Sequence, residues 1–193
     1  MNKTLVLLAI VAAFGLAACD SGPTQEERDA AEKARTDADK AAKQADVAAA
    51  LAADCRRQLG GFLNALRNTN SRLGVGMSFD DYGDQVGQIS IAYDRIPFGQ
   101  LDLECTMGVG VKAEAAFNSY TKAYNAWNEC IGDLYCEMDT VDPELQEHWS
   151  KAGRQVRKAR SALADLDARA NQARAEADEK EKKATEAESV VSE

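Results

Sequence analysis

Apolar and polar positions along this chain alternate in one way over long distances. Ala31, Ala34, Ala38, Ala41, Ala45, Ala48, Ala52, Cys55, Leu59, Phe62 and Leu66 follow one another in steps of three and four. That spacing is an uninterrupted heptad seam, the mark of one long helix with a narrow apolar stripe. The stripe is alanine at its start and Leu and Phe at its end. Alanine lets a partner helix come close but buries little area, whereas Leu and Phe build a thicker core. A thin two-helix stalk below a packed head is therefore expected. A second seam runs through Leu145, Trp149, Ala152, Val156, Ala159, Leu163, Leu166 and Ala170 and on to Val191, broken only by Lys180. Two alanine seams of matching length predict an antiparallel pair. The competing expectation is two charged helices whose outer turns fray separately.

Two shorter helices fit between these arms. Ser78 and Asp81 form a capping box, and Phe79, Tyr82, Val86, Ile89, Tyr93 and Ile96 keep the heptad until Pro97 stops it. The next helix starts between Gly99 and Gly110, carries Val109, Ala113, Ala116, Tyr120, Ala123 and Trp127 inward, and stops at Gly132. The last begins at Asp142-Pro143, with Asp as N-cap and Pro at the first helical position. Laid out by length, the second helix spans about 27 Å, and position n of the first arm faces roughly position 215 − n of the last. The chain's final residues then return beside Thr24, which opens the first helix in a capping box with Glu27. Both tryptophans are expected near Phe62, and Gly60-Gly61 opposite Gly153.

The predicted fold is all-α: a four-helix up-down-up-down bundle head on a long antiparallel two-helix, alanine-rich coiled-coil stalk. The corresponding divisions are 1–18 leader, 19–23 linker, 24–54 outgoing stalk arm, 55–160 head and 161–193 returning arm.

Charge sharpens this picture. The chain of 193 residues has a formal charge of −9, which argues against nucleic-acid binding, since phosphate contacts need clustered basic residues. Residues 73–150 hold 14 acids against 3 bases, while the flanks are nearly neutral. The middle third of the chain is the acidic part.

The leader carries the one resemblance in the chain. Lys3 precedes an apolar run from Leu5 to Phe14, too short for a membrane span and built like a secretory signal. It ends in Leu16-Ala17-Ala18-Cys19. These residues resemble the lipobox of bacterial lipoprotein precursors. The resemblance implies cleavage between Ala18 and Cys19, diacylation of the Cys19 thiol, and a mature chain tethered to the outer face of a membrane. It covers the leader alone.

Four further cysteines, Cys55, Cys105, Cys130 and Cys136, read as two disulfides in an exported protein. Bridged Cα atoms lie within about 7 Å. Helix lengths put Cys105 level with Cys55 and Cys130 far above both, which selects Cys55–Cys105 and Cys130–Cys136. A thiolate metal site lacks a Cys-x-x-Cys pair and a nearby His.

No catalytic residue is expected. The single histidine, His148, stands beside Trp149 with no nucleophile motif, phosphate loop or strand pattern near it. Asp80, Asp81 and Asp84 stand at the start of the second helix, where acids favour the helix dipole. Asp133, Glu137, Asp139 and Asp142 populate the loop before the last helix. A Ca²⁺ site needs six or more oxygens, and no metal or cofactor is expected. The two acidic groups, namely Asp80, Asp81, Asp84 and Asp133, Glu137, Asp139, are candidate binding residues. Arg56, Arg57, Arg154, Arg157, Lys158 and Arg160 are expected to meet Asp94, Asp102 and Glu104 in a belt at the head–stalk junction.

These features point to a non-enzymatic, lipid-anchored extracytoplasmic protein whose acidic head is expected to bind a basic protein partner. Two alternatives stand beside it. One is a structural envelope spacer that oligomerises through its stalk. The other is small-molecule binding within the head, among Tyr82, Tyr120, Tyr124, Trp127 and Trp149.

Overall fold

A computed structural model describes residues 22–192; the leader, with Ala18 and Cys19, lies outside the described residues. All regular elements among those residues are helical.

Helix α1, Gln25–Leu73, opens on a reciprocal cap. The Thr24 hydroxyl accepts from the Glu27 backbone N–H at 3.3 Å, and the Glu27 carboxylate accepts from the Thr24 N–H at 2.7 Å. The Thr24 N–H, together with the Thr24 hydroxyl donating to the same carboxylate oxygen at 2.8 Å, holds the Glu27 carboxyl below its usual range. Gly76, at φ 101°, makes the turn into α2 in a conformation that favours glycine. Helix α2, Phe79–Asp94, starts with the Ser78 hydroxyl accepting from the Asp81 N–H and ends just short of Pro97.

A short 3₁₀ turn, Phe98–Gln100, leads to Asp102, whose carboxylate accepts from the Glu104 N–H at 2.7 Å. From there an α-helical turn Leu103–Cys105, a π-helical turn Thr106–Gly110 and the α-helix Val111–Gly132 run on without a break. Together they form α3. Its inward residues Cys105, Val109 and Ala113 are spaced by four, a step that drifts about 40° per repeat in a regular α-helix. The wider π turn absorbs that drift, and all three are buried.

Helix α4, Met138–Ser192, begins five residues before the predicted Pro143. Pro143 therefore sits inside the helix instead of opening it, and Asp142 is not its N-cap. The extra turn is held by burial of Val141 against the core. It forgoes the hydrogen bond that the proline nitrogen cannot donate.

Helix α1 packs mainly on α2 and α4, and α3 mainly on α2 and α4, with α1 and α3 also meeting at the Cys55–Cys105 bridge and at Phe62 and Phe117. Below the head only α1 and α4 remain, antiparallel, and this pair is the stalk. Its seam is closed by Ala38, Ala41, Ala45, Ala177 and Ala184, all buried. Arg35 on α1 reaches Glu181 on α4 at 2.8 Å, so the two arms pair nearly to their ends.

The register differs from the length estimate. Asp46 is paired with Arg174, Arg56 with Asp167, and Asn70 lies against Gly153. The early start of α4 explains the offset, because its first turns extend past the end of α1. Gly153 consequently does not face Gly60-Gly61. A side chain at Gly153 would meet Asn70 Oδ1 at 2.5 Å, and one at Gly83 would meet the Tyr124 ring at 3.1 Å. Gly60 and Gly61 face open space.

The head core has two aromatic layers. In the upper one Trp127 and Trp149 meet 5.7 Å apart over the fully buried Tyr82, not over Phe62 as expected. Phe62 belongs to the lower layer, with Tyr93 at 5.4 Å and Phe117 at 6.2 Å. Beneath it Cys55 and Cys105 are bridged, with Cα atoms 5.6 Å apart. Closing a loop of 50 residues, this bridge constrains the unfolded chain by about 4 kcal/mol.

The glycines separate under substitution. Gly60→Ala and Gly61→Ala should each stabilise the fold by about 0.5–1 kcal/mol. Gly153→Ala should stabilise less or destabilise, because Asn70 must withdraw and loosen its bond from the Tyr120 hydroxyl. Chemical denaturation followed by circular dichroism compares the three.

Candidate functional site

The far end of the head is shaped by seven residues. Helix α3 ends at Gly132, and Cys130 is bridged to Cys136, Cα atoms 5.2 Å apart. Inside that clip the Asp133 carboxylate accepts from the Tyr135 N–H at 2.9 Å, and the Asp133 carbonyl accepts from the Cys136 N–H at 3.1 Å. The Glu137 carbonyl then takes the Thr140 N–H and hydroxyl. A loop this short has no interior. Leu134 and Tyr135 consequently stand 97% and 92% exposed, with Ile131 and Met138 half-exposed beside them. Covering such side chains gains about 1.5–3 kcal/mol for the larger ones.

Carboxylates surround this apolar pair. Asp133, Glu137 and Asp139 lie in the loop and the first turn of α4, all exposed. Asp80, Asp81 and Asp84 occupy the first turns of α2 at the same end of the bundle, also exposed. None of the six carries an ion pair among the described residues, where the nearest acid–base contact is Glu144 with His148 at 3.5 Å. Asp81 instead accepts from the Ser78 hydroxyl at 2.6 Å. Among the described residues no three potential ligands are grouped to hold a metal ion. The two acidic groups make a field rather than a chelate.

The expected charge belt is not assembled. Glu104 does meet an arginine, but it is Arg169, and Arg56 pairs with Asp167. Arg57 turns back to Asp54 in its own helix. Arg154, Arg157, Lys158 and Arg160 form no ion pairs among the described residues, since the shifted register carries them away from Asp94 and Asp102.

Of the five aromatics considered for a ligand pocket, Tyr82 and Tyr120 lie in the core, and Tyr124, Trp127 and Trp149 are partly buried against it. Tyr82 and Tyr120 are fully buried, and the Tyr82 hydroxyl donates to the Tyr120 carbonyl at 2.8 Å. Trp149 turns its buried indole N–H toward Tyr82 without completing a bond.

Two features escaped the sequence reading. One is the exposed pair Leu134-Tyr135, whose signal was an apolar dipeptide between cysteines too close together to bury it. The other is a groove of about 920 Å³ between α1 and α2, floored in part by Phe62 and Pro97. Its amide walls occupy heptad positions beside the seam, which read simply as solvent-facing. No helix among the described residues is long and apolar enough to cross a membrane. No protein-family model, curated protein or solved structure matches this chain.

Burial pushes the Tyr82 and Tyr120 phenols well above their ordinary value of 10.0. Their folded-state pKa values are raised, so the unfolded chain loses these protons first and folding stability falls as pH rises above about 10. An ultraviolet titration followed alongside circular dichroism should show Tyr82 and Tyr120 ionising only together with loss of helical signal.

Proposed function

We propose that this chain is a lipid-anchored extracytoplasmic lipoprotein whose stalk carries a docking tip for a basic protein. The observation that carries the reading is the disulfide-clipped loop. It holds Leu134 and Tyr135 out in solvent among the unpaired carboxylates of Asp133, Glu137 and Asp139. A bridged loop is rigid before contact, so little ordering entropy opposes binding. Leu134 and Tyr135 are the apolar anchors, and aromatic anchors of this kind dominate interface energies. The acids at the loop and at the start of α2 attract a cationic partner and repel acidic ones.

The anchoring half of the reading rests on Leu16-Ala17-Ala18-Cys19. With the lipid at Cys19, the stalk from residue 24 to 54 places the head about 45 Å from the bilayer. The stalk seam is occupied by the chain's own returning arm, which favours a single-chain tether over a stalk-mediated oligomer.

Each half has its own test. Cys19→Ala should move the protein from the membrane fraction to the soluble fraction, with labelled palmitate incorporation lost. For docking, the full chain in detergent is used to capture partners at low salt, which are identified and weighed by isoelectric point. Leu134→Ser with Tyr135→Ser should weaken capture of a basic partner by about tenfold or more. Asp133→Asn with Glu137→Gln and Asp139→Asn should flatten its salt dependence. Capture unaffected by either set, or of acidic partners alone, would remove the docking reading.

A further inference from the structure

The groove between α1 and α2 has a chemistry unlike the rest of the head. Asn64 and Asn68 on α1 face Gln85 and Gln88 on α2 across it. None of the four side chains has a hydrogen-bond partner among the described residues, and Gln58 adds a buried Oε1 with no donor. Three cations line the groove, Arg57, Arg72 and Arg95, and no carboxylate does. Arg72 and Arg95 are exposed and form no ion pair among the described residues. This is the inverse of residues 73–150, where acids outnumber bases by 14 to 3.

The helices leave this space open because the facing positions are small or polar. Gly61 looks into it with no atom within 4 Å of where a side chain would begin. Ile91, 46% exposed, and Phe62 give it an apolar floor. From the level of Arg57 to that of Arg72 the groove runs about 22 Å along α1.

A primary amide presents a donor and an acceptor side by side, the complement of neighbouring hydroxyl groups on a sugar ring. Arginine takes carboxylates through paired hydrogen bonds. An apolar floor suits the C–H face of a pyranose. A polyphosphate or nucleic acid would instead favour a continuous row of cations and would suffer from the net negative chain. We propose that the α1–α2 groove binds a linear polysaccharide bearing carboxylates, with the amides reading hydroxyls and Arg72 and Arg95 holding acid groups near its two ends. The site shares no residue with the tip and stands or falls separately from it.

The test uses the full-length protein in detergent micelles and isothermal titration calorimetry. The probes are hexagalacturonate, its carboxyl-reduced neutral hexamer, and a polyphosphate of equal charge. Hexagalacturonate should bind, and the neutral hexamer should bind about tenfold or more weakly. Gly61→Leu, which fills the groove, should abolish binding without lowering the thermal midpoint. Asn68→Ala with Gln88→Ala, and Arg72→Gln with Arg95→Gln, should each weaken it by about tenfold. The proposal is overturned if hexagalacturonate does not bind, or if the folded Gly61→Leu protein binds as wild type does. It is equally overturned if polyphosphate binds as tightly and the Asn68/Gln88 variant makes no difference. Should Gly61→Leu fail to fold, the amide pair decides.

Discussion

The close approach of α1 and α4 along an alanine seam is the constraint on which the rest of the structure depends. Alanine offers little area per layer, so contact must be repeated over many turns to hold two helices together. The same two helices then change their inward residues to Leu59, Phe62, Leu66, Leu145 and Val156. There they pack on α2 and α3 as well as on each other. Stalk and head are thus one continuous pair of helices, which carries larger inward side chains where α2 and α3 join it.

Fixing the pair also fixes the two surfaces of interest. The early start of α4 carries the α3–α4 loop beyond the end of α1, and the Cys130–Cys136 clip prevents that loop from folding back over the core. On another side of the head, α2 is held at its ends by aromatic contacts to α3 and by its turns. Its aromatic contact to α1 is Tyr93 on Phe62. The gap left elsewhere is lined by amides and arginines.

Much of this was legible in the heptad spacing. The two long arms, the capping of α1 by Thr24 and Glu27, and the stop of α2 before Pro97 follow from local rules, and the structure displays them. The start of α4 did not follow, because a proline is a strong local signal and burial of Val141 is a tertiary effect that overrides it. Register inherited that error, which moved Gly153 from Gly60-Gly61 to Asn70 and dissolved the charge belt. The tip acids were legible as charge but not as a surface. Their meaning depends on Leu134 and Tyr135 remaining uncovered, and a residue's exposure in a loop depends on what the rest of the chain fails to cover.

The bridge between Cys55 and Cys105 has a mechanical consequence. Tension applied between the base of α1 and the far loop can travel up α1 to Cys55, across the sulfurs, and up α3 to Cys130 without entering the intervening segment. The residues enclosed by that link, including all of α2, are shielded from extension. The remaining load falls on α1 and α4 as shear, spread over every alanine layer at once rather than peeling them one by one. A molecule built this way can be tugged at its summit and keep both its outer loop and its α1–α2 furrow in shape.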